Sequence, residues 1–232
     1  MKFTFGIITD GLNTDRVNQI IKSIRDENIK EYQIVIVGPT FDHVGEDITN
    51  IFFVDQFAGS AQPAWITKKK NLITENAKYD NIVYMHDYYA LERGWYLGQL
   101  AKGEDFSVRM DKIVNIDGSR FRDWCIWPHN GNWMDNEIGR ECLIPYNISH
   151  LSKFMYISGG YWVAKKHVMK EFPLNENLLW GQGEDVLWSK QVREKYKFSM
   201  NPFSIVNIIK PGKDKVFDEI SNERLKKILS LA

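Results

Sequence analysis

The sequence is poor in cysteine and lacks any long apolar run. Only two cysteines occur in 232 residues, Cys125 and Cys142, and their spacing matches no metal-ligand motif. We therefore predict a reducing, cytoplasmic setting, and the sequence leaves a disulfide between the two open. No apolar run approaches the roughly 20 residues that a membrane-spanning helix needs, and no signal peptide is apparent before the first strand-like segment.

The sequence also lacks an excess of either charge. Lysine plus arginine and aspartate plus glutamate number 30 each, so the formal net charge is zero. Such a chain has no overall field that draws it to nucleic acid or to an anionic membrane. Its length and its hydrophobic content of 44% are enough for one large domain with a substantial core, which we favour over two small domains that share an interface. Function is therefore expected in a local site.

Three common catalytic or binding motifs are missing. The first strand is not followed by G-x-G-x-x-G, no Walker-type phosphate loop occurs, and no G-x-S-x-G elbow is present. A pyrophosphate group would then need a metal ion or basic side chains. The sequence offers five basic candidates, with a solvated surface as the alternative for each: Lys68, Lys69, Lys70, Arg93 and Arg109.

Short apolar segments alternate with helical patterns along the chain. Strands are predicted over residues 3–9, 32–37, 51–54, 81–85, 112–116, 156–164 and 203–209. Helices are predicted after the first strand, over 64–77, from 92, over 167–171, from 184 and in the tail 213–232. This alternation indicates an α/β fold with a mainly parallel central sheet flanked by helices. Ligands should gather at the carboxyl ends of its strands.

Polar residues follow four of the predicted strands. They are Thr9-Asp10, Gly38, Asp55 and His86-Asp87. Because parallel strands end at one edge, we expect these groups to share a cleft suited to a nucleotide. A carboxylate after the first strand can accept from a base or ribose, and one after the fourth can hold a divalent cation. Each aspartate taken alone is better explained as a turn former or helix cap, and their joint placement at strand ends is what favours a functional site.

An acidic pair stands at the start of a predicted helix, in the stretch WGQGEDVLWS of residues 180–189. Glu184 and Asp185 follow two glycines, and carboxylates are favoured at a helix N-terminus by unpaired N–H groups and the helix dipole. One carboxylate can cap the helix while the other faces a cleft as a general base. A plain N-cap is the alternative.

Three segments resemble a known family. They read FGIITDG, AWITKKKNLITENAKYDNIVYMHD and SGGYWVAKKHVMKEFPLNENLLWGQGEDVLWSKQVREKY. Together these segments are similar to the nucleotide-sugar glycosyltransferases of the GT-A fold, in particular the inverting family 2 group, over residues 3–206. The resemblance implies a GT-A (nucleotide-diphospho-sugar transferase) fold in a single domain. Its donor half would be 1–116, its acceptor half 117–210 and its C-terminal helix 211–232.

The resemblance implies a donor site and a metal. The residues placed beside the nucleotide sugar would be Thr9, Asp10, Asp55, Lys70, Asn71 and His86. Asp87 would be the ligand of a divalent cation, Mn²⁺ or Mg²⁺. The family usually shows Asp-x-Asp where this chain has His86-Asp87-Tyr88, and the late histidine ligand of many members has only Asn207 nearby.

The resemblance also implies an acceptor side. Asp185 would be the catalytic base, with Glu184 contacting the acceptor or capping the helix. Trp180 would stack on the acceptor or close the pocket, and Gly159-Gly160 would let the backbone approach the sugar. Residues 117–149 form a loop-rich segment that we interpret as an acceptor-facing lid.

The implied activity is sugar transfer from a nucleotide-diphosphate donor, most simply a UDP-sugar, to a hydroxyl of a glycan or lipid-linked acceptor. The reaction would be inverting and would serve cell-surface or other glycan synthesis. A non-catalytic nucleotide-sugar or carbohydrate-binding module and a nucleotidyltransferase are the two alternatives. No nucleic acid partner is expected. The tail helix is predicted to complete the core, with a homodimer contact or a peripheral contact at the inner membrane face as alternatives.

Overall fold

The structure is a computed structural model that describes residues 1–39, 45–54, 65–126, 141–148, 154–178, 181–211 and 218–230. The chain begins with strand β1 (Phe3–Ile8), in which every residue is buried. Helix α1 (Thr14–Asp26) follows, and the side chain of Asn13 caps it by accepting from the backbone N–H of Arg16. The apolar face of α1 packs into the core, as its helical spacing predicts.

Seven further strands complete a large sheet: β2 (Tyr32–Gly38), β3 (Ile48–Phe52), β4 (Asn81–His86), β5 (Tyr89–Leu91), β6 (Val108–Val114), β10 (Tyr161–Lys165) and β11 (Phe198–Ile208). Three short strands form a small sheet: β7 (Cys125–Ile126), β8 (Cys142–Leu143) and β9 (Met155–Tyr156). The other helices are α2 (Ile66–Asn76), α3 (Trp95–Lys102), α4 (Lys166–Glu171), α5 (Glu184–Val192) and α6 (Asn222–Leu229).

The large sheet has the strand order β3-β2-β1-β4-β10-β6-β11-β5. The pairs β2–β3, β1–β2, β1–β4 and β6–β11 are parallel, whereas β10 runs antiparallel to β4 and β6, and β5 antiparallel to β11. The sheet is therefore mixed, with its parallel pairs in the majority. The carboxyl ends of β1, β2, β4, β6 and β11 lie at one edge, and the amino end of β10 joins them there.

One predicted strand is in fact two. Residues 156–164 were expected as a single strand, but β9 belongs to the small sheet and β10 to the large one. A turn separates them, closed by the bond from Tyr161 N to Ser158 O (3.0 Å). Two consecutive glycines within the turn, Gly159 and Gly160, let the chain change direction there.

The two cysteines are buried free thiols. In the pairing of β7 with β8, Cys125 lies opposite Leu143 and Ile126 lies opposite Cys142. Successive residues of a strand point to opposite faces, and directly paired residues share a face. Cys125 and Cys142 therefore project from opposite faces of the small sheet, which excludes the disulfide that the sequence left open.

The tail of the chain packs against the small sheet. Leu143 N donates to Asp218 O (3.0 Å), and Ile220 N donates to Leu143 O (2.8 Å). The helix α6 then begins after Ser221, so it is shorter than the predicted 213–232. Ile228 is fully buried in the main core. Among the helices of the described ranges, none is both long and apolar enough to cross a membrane.

Candidate functional site

The first cluster of the site joins the ends of two neighbouring strands. The Thr9 hydroxyl, just after β1, donates to the Oδ2 atom of Asp87, just after β4, at 2.8 Å, and both residues are buried. Thr9 Oγ1 also accepts from the backbone N–H of Gly11 (3.1 Å). Asp10 is exposed, and its Oδ1 atom accepts from Leu12 N (2.9 Å). The structure thus brings together three residues that were predicted to share the donor side.

Asp87 lies in a mixed electrostatic environment. Burial raises the pKa of the Asp87 carboxyl, the hydrogen bond from Thr9 lowers it, and the charge of Asp10 raises it. The positive charges of Arg16 and Lys210 lower it. Arg16 stands in the first turn of α1 and Lys210 two residues after β11, so both approach the same edge. Sequence reasoning missed these two basic residues. Lys210 could have been found, because it follows the carboxyl end of a predicted strand, where ligands are expected.

Asp87 and Asp10 together suit a divalent cation. Mg²⁺ and similar ions are commonly held by one or two carboxylates plus phosphate oxygens of the substrate. The two side chains are close enough for the charge of Asp10 to act on the pKa of Asp87. Within the described ranges, no group of three or more histidine, cysteine, aspartate or glutamate residues is placed to hold a metal ion. A cation at Asp87 and Asp10 would therefore need phosphate oxygens as further ligands.

The second cluster surrounds the acidic pair at the start of α5. The Asp185 Oδ2 atom accepts from Gly159 N at 2.9 Å, and only 8% of the Asp185 surface is exposed. A Cβ atom on Gly159 would lie 2.8 Å from Asp185 Oδ2 and 2.9 Å from Glu184 Oε1. The carboxylates therefore approach the backbone so closely that only glycine fits at this position.

Lys70 ties the acidic pair to helix α2. Its Nζ atom donates to Gly159 O (2.6 Å), lies 3.8 Å from Glu184 Oε1 and stands 4.6 Å from the centre of the Trp162 ring. The Lys70 side chain is only 1% exposed. Burial lowers the pKa of Lys70 and raises the pKa of Glu184. Lys70 therefore supports the acidic pair, and its predicted contact with a ribose or diphosphate stays a prediction.

The glycine pair connects the two clusters. His86 N, at the end of β4, donates to Gly160 O at 2.9 Å. A Cβ atom on Gly160 would lie 2.6 Å from the Tyr89 ring, which is buried. Asp87 follows His86 directly, and Asp185 bonds to Gly159. Both clusters consequently lie at the same edge of the large sheet, on either side of this turn.

Asn71 has a structural task within the described residues. Its Nδ2 atom donates to Leu174 O (2.9 Å) and to Glu176 Oε1 (2.9 Å), and its Oδ1 atom accepts from Leu174 N (3.0 Å). These bonds fasten the segment before the acidic pair to α2. A role of Asn71 in donor binding stays a prediction. Asp55 and Trp180, also predicted for the site, lie outside the described residues.

Arg122 is a site residue that sequence reasoning missed. One nitrogen of its guanidinium, Nη2, lies 3.8 Å from Asp185 Oδ2, and the other, Nη1, lies 3.3 Å from Glu141 Oε1. The Tyr156 hydroxyl donates to the same Glu141 carboxylate. Arg122 falls in the 117–149 segment, whose weak periodicity gave no signal for its position. Residues 127–140 of that predicted lid lie outside the described part of the chain.

Comparison with known proteins shows which solved structures have a similar architecture. No protein-family model and no curated protein matches the sequence. Among solved structures, GalNAc-T7 with UDP, GalNAc and Mn²⁺ superposes over 99% of this chain with a TM-score of 0.64 and 12% identity. S. aureus TarS 1–349 in complex with UDP-GlcNAc superposes over the whole chain with a TM-score of 0.56 and 12% identity.

The chain is shorter than these neighbours. The superposition covers 47% of the GalNAc-T7 chain and 65% of the TarS 1–349 chain. Another TarS structure is covered over 39% of its length, with a TM-score of 0.55 and 13% identity. The chain therefore has the GT-A glycosyltransferase fold.

Proposed function

We propose that the protein transfers a sugar from a nucleotide-diphosphate donor to an acceptor hydroxyl, with inversion at the anomeric carbon. The observation that carries the proposal is the edge of the large sheet where Thr9 and Asp87 meet the turn that holds Asp185. A nucleotide site and a buried carboxylate on one edge are what a single displacement requires, because donor and base must face each other across the reacting carbon.

A UDP-sugar is the proposed donor. The structural neighbours were solved with UDP, GalNAc and Mn²⁺ in one case and with UDP-GlcNAc in another. Thr9 and Asp10 would contact the nucleotide, with Asp55, Lys70, Asn71 and His86 as further donor-side candidates. The proposed acceptor is a glycan or a lipid-linked saccharide, and the proposed role is glycan synthesis.

Asp185 is the proposed general base. Its carboxylate would take the proton of the acceptor hydroxyl as that oxygen forms a bond to the anomeric carbon. The bond from this carbon to the β-phosphate oxygen breaks, and the nucleotide diphosphate leaves with the electron pair. Glu184, Trp180 and the Gly159-Gly160 turn are the proposed acceptor contacts.

The diphosphate would be stabilised at the edge beside Asp87. Arg16 and Lys210 supply positive charge there. Asp87, with Asp10 close by, would hold a divalent cation, which would neutralise charge on the departing diphosphate when bound. Because Asp87 must be ionised to hold a cation, and burial raises its pKa, we propose that cation affinity rises with pH.

Donor binding is tested by thermal unfolding with a panel of nucleotide sugars, each with and without Mn²⁺. A ligand at about 100 times its dissociation constant should stabilise the protein by roughly 2.7 kcal/mol. UDP-GlcNAc or UDP-GalNAc is expected to raise the unfolding midpoint more than the same sugar without nucleotide. The absence of any shift across the panel would contradict a donor site.

Turnover is tested with the Asp185→Asn variant, which keeps an oxygen to accept from Gly159 N. We expect turnover to fall on the order of 10²- to 10⁴-fold, with donor affinity nearly unchanged. Asp105→Asn, an exposed change on another face, is the matched control and should retain full turnover. Proton NMR of the first-formed product reports whether the anomeric configuration has inverted.

Other outcomes of these assays separate the alternatives. Donor binding without transfer or hydrolysis would indicate the binding module. Release of inorganic pyrophosphate from a nucleoside triphosphate and a sugar phosphate would indicate a nucleotidyltransferase. Unchanged turnover in Asp185→Asn would remove Asp185 as the base.

A further inference from the structure

The structure assigns to Arg122 the task of positioning the Asp185 carboxylate for catalysis, with Glu141 and Tyr156 holding Arg122 in place. The inference rests on the proposed function, because it concerns the residue proposed there as the base. Arg122 would act through Asp185 and not on the donor. It is therefore a positioning residue.

The first step of the argument is the contact with Asp185. Among the described residues, the Oδ2 atom of Asp185 accepts from Gly159 N at 2.9 Å and lies 3.8 Å from Arg122 Nη2. The Oδ1 atom accepts from the backbone N–H of Val186 at 2.9 Å. Contacts to both oxygens fix the plane of the carboxylate, which a base needs in order to face its substrate hydroxyl.

The second step is what holds Arg122. The Glu141 carboxylate lies 3.3 Å from Arg122 Nη1 and accepts from the buried Tyr156 hydroxyl. Burial lowers the pKa of Arg122, but Tyr156, Glu141 and Asp185 raise it to above its ordinary value. The guanidinium therefore stays positively charged while it is shared between two carboxylates.

The third step is the small sheet. Tyr156 in β9 lies opposite Cys125 in β7, and Glu141 directly precedes β8. Arg122 stands three residues before β7. The pairing of these three strands consequently brings Tyr156, Glu141 and Arg122 into successive contact, and Arg122 in turn contacts Asp185. The small sheet thereby positions a residue of helix α5 through side-chain contacts.

An ion pair that only stabilises the fold is the competing explanation, so the experiment separates the two roles. We would compare Arg122→Gln, Arg122→Lys and Glu141→Gln with Arg25→Gln. Arg25 is a matched control because it forms a similar pair with Asp47 (2.8 Å) beside β3, away from Asp185. Steady-state kinetics with a UDP-sugar and urea unfolding would be measured for each protein.

We expect Arg122→Gln to lower kcat by about 10²-fold, because a small displacement of a catalytic group has an effect of that size. KM for the donor should change less than about twofold, since the carboxylate that Arg122 positions acts on the acceptor hydroxyl. Arg122→Lys should recover part of kcat by restoring the charge. The kcat of Glu141→Gln should lie between those of Arg122→Gln and Arg122→Lys. Arg25→Gln should leave kcat unchanged.

The double variant Arg122→Gln/Asp185→Asn decides whether Arg122 acts through Asp185. Its turnover should equal that of Asp185→Asn alone, because there is no base left to position. A further large loss in the double variant would overturn the inference. The inference would also be overturned if the folded Arg122→Gln protein kept its kcat while Asp185→Asn lost turnover. That result would leave the proposed function intact. A native chain without turnover would overturn both.

Discussion

At the scale of single residues, burial decides which charges the protein tolerates. Asp111, in β6, is completely buried and accepts from Trp95 Nε1 (2.9 Å), from Gln99 Nε2 (2.8 Å) and from the Tyr161 hydroxyl. Burial raises the pKa of Asp111 to about 6, and these hydrogen bonds lower it only in part. The group therefore binds a proton in the folded protein at a pH where it is ionised in the unfolded chain.

This difference predicts a pH-dependent effect of Asp111→Asn on stability. Between about pH 4 and 6 the folded state binds more protons at this site than the unfolded state, so the contribution of Asp111 to the unfolding free energy falls as pH rises. The variant does not titrate and should be destabilised by about 1 to 3 kcal/mol at pH 5. The destabilisation should be smaller at pH 7.

Urea unfolding at the two pH values measures this change. Glu75→Gln, an exposed carboxyl change in α2, serves as the control and should show no comparable pH dependence. A destabilisation by Asp111→Asn that is equal at both pH values would mean that the buried carboxyl keeps an ordinary pKa.

At the scale of elements, two strands begin earlier than predicted: β6 at Val108 instead of 112, and β11 at Phe198 instead of 203. The strands β1, β2 and β4 and the helix α2 have enough apolar residues for a clear pattern, and they lie within a few residues of their predicted bounds. The helix predicted after the first strand is α1. The predicted strand 51–54 lies at 48–52 instead. Strands β5, β7 and β8 have two or three residues each, too few for any period, and they were missed.

Close packing of α3 on β11 gives a prediction at this scale. A Cβ atom on Gly98 would lie 2.4 Å from the backbone O of Phe203, where β11 bulges between Asn201 and Ile205. Alanine normally stabilises a helix relative to glycine by about 0.5 to 1 kcal/mol. Gly98→Ala should instead destabilise the protein by about 1 to 3 kcal/mol, because the backbone it meets cannot move aside.

Chemical denaturation of Gly98→Ala tests the sign. The control on the same helix is Ala101→Gly, which is exposed and should show only the loss of helix propensity, about 1 kcal/mol. If Gly98→Ala is as stable as the native chain or more so, α3 does not rest on the bulge as the structure has it.

At the scale of the whole molecule, the C-terminal helix belongs to the core. Ile228 in α6 is fully buried with the residues of the main cluster, and residues 218–220 pair with β8 beside Arg120, which binds Glu219 (3.4 Å). The predicted role of this helix in completing the core is supported by that burial. A homodimer or membrane contact of the helix stays a prediction, as does the division into donor half, acceptor half and tail.

Ile228→Ala should therefore destabilise the entire chain. Removal of a fully buried isoleucine side chain typically lowers the unfolding free energy by about 2 to 5 kcal/mol. Lys226→Ala, an exposed change on the same helix, should have an effect within about 0.5 kcal/mol. Calorimetry should show one transition that moves as a whole, whereas an early separate loss of helix signal would indicate an independent appendage.

The sequence by itself determined the α/β pattern, the edge of the sheet at which Thr9, Asp10 and Asp87 gather, and the acidic start of α5. These features depend on local periods and on neighbouring residues, so they are visible in one dimension. Thr9, Asp87 and Asp185 are therefore recognisable from the sequence, and their catalytic and binding roles remain predictions.

Only the tertiary structure decided how the remaining groups meet. The insertion of β10 between β4 and β6, the burial of Lys70 against Glu184 and the approach of Arg122 to Asp185 all join residues distant in the chain. Such contacts depend on strand order and on the packing of whole layers, which a local pattern does not encode. The positions of the two cysteines on opposite faces of the small sheet likewise depend on the register between β7 and β8, which the sequence pattern does not encode.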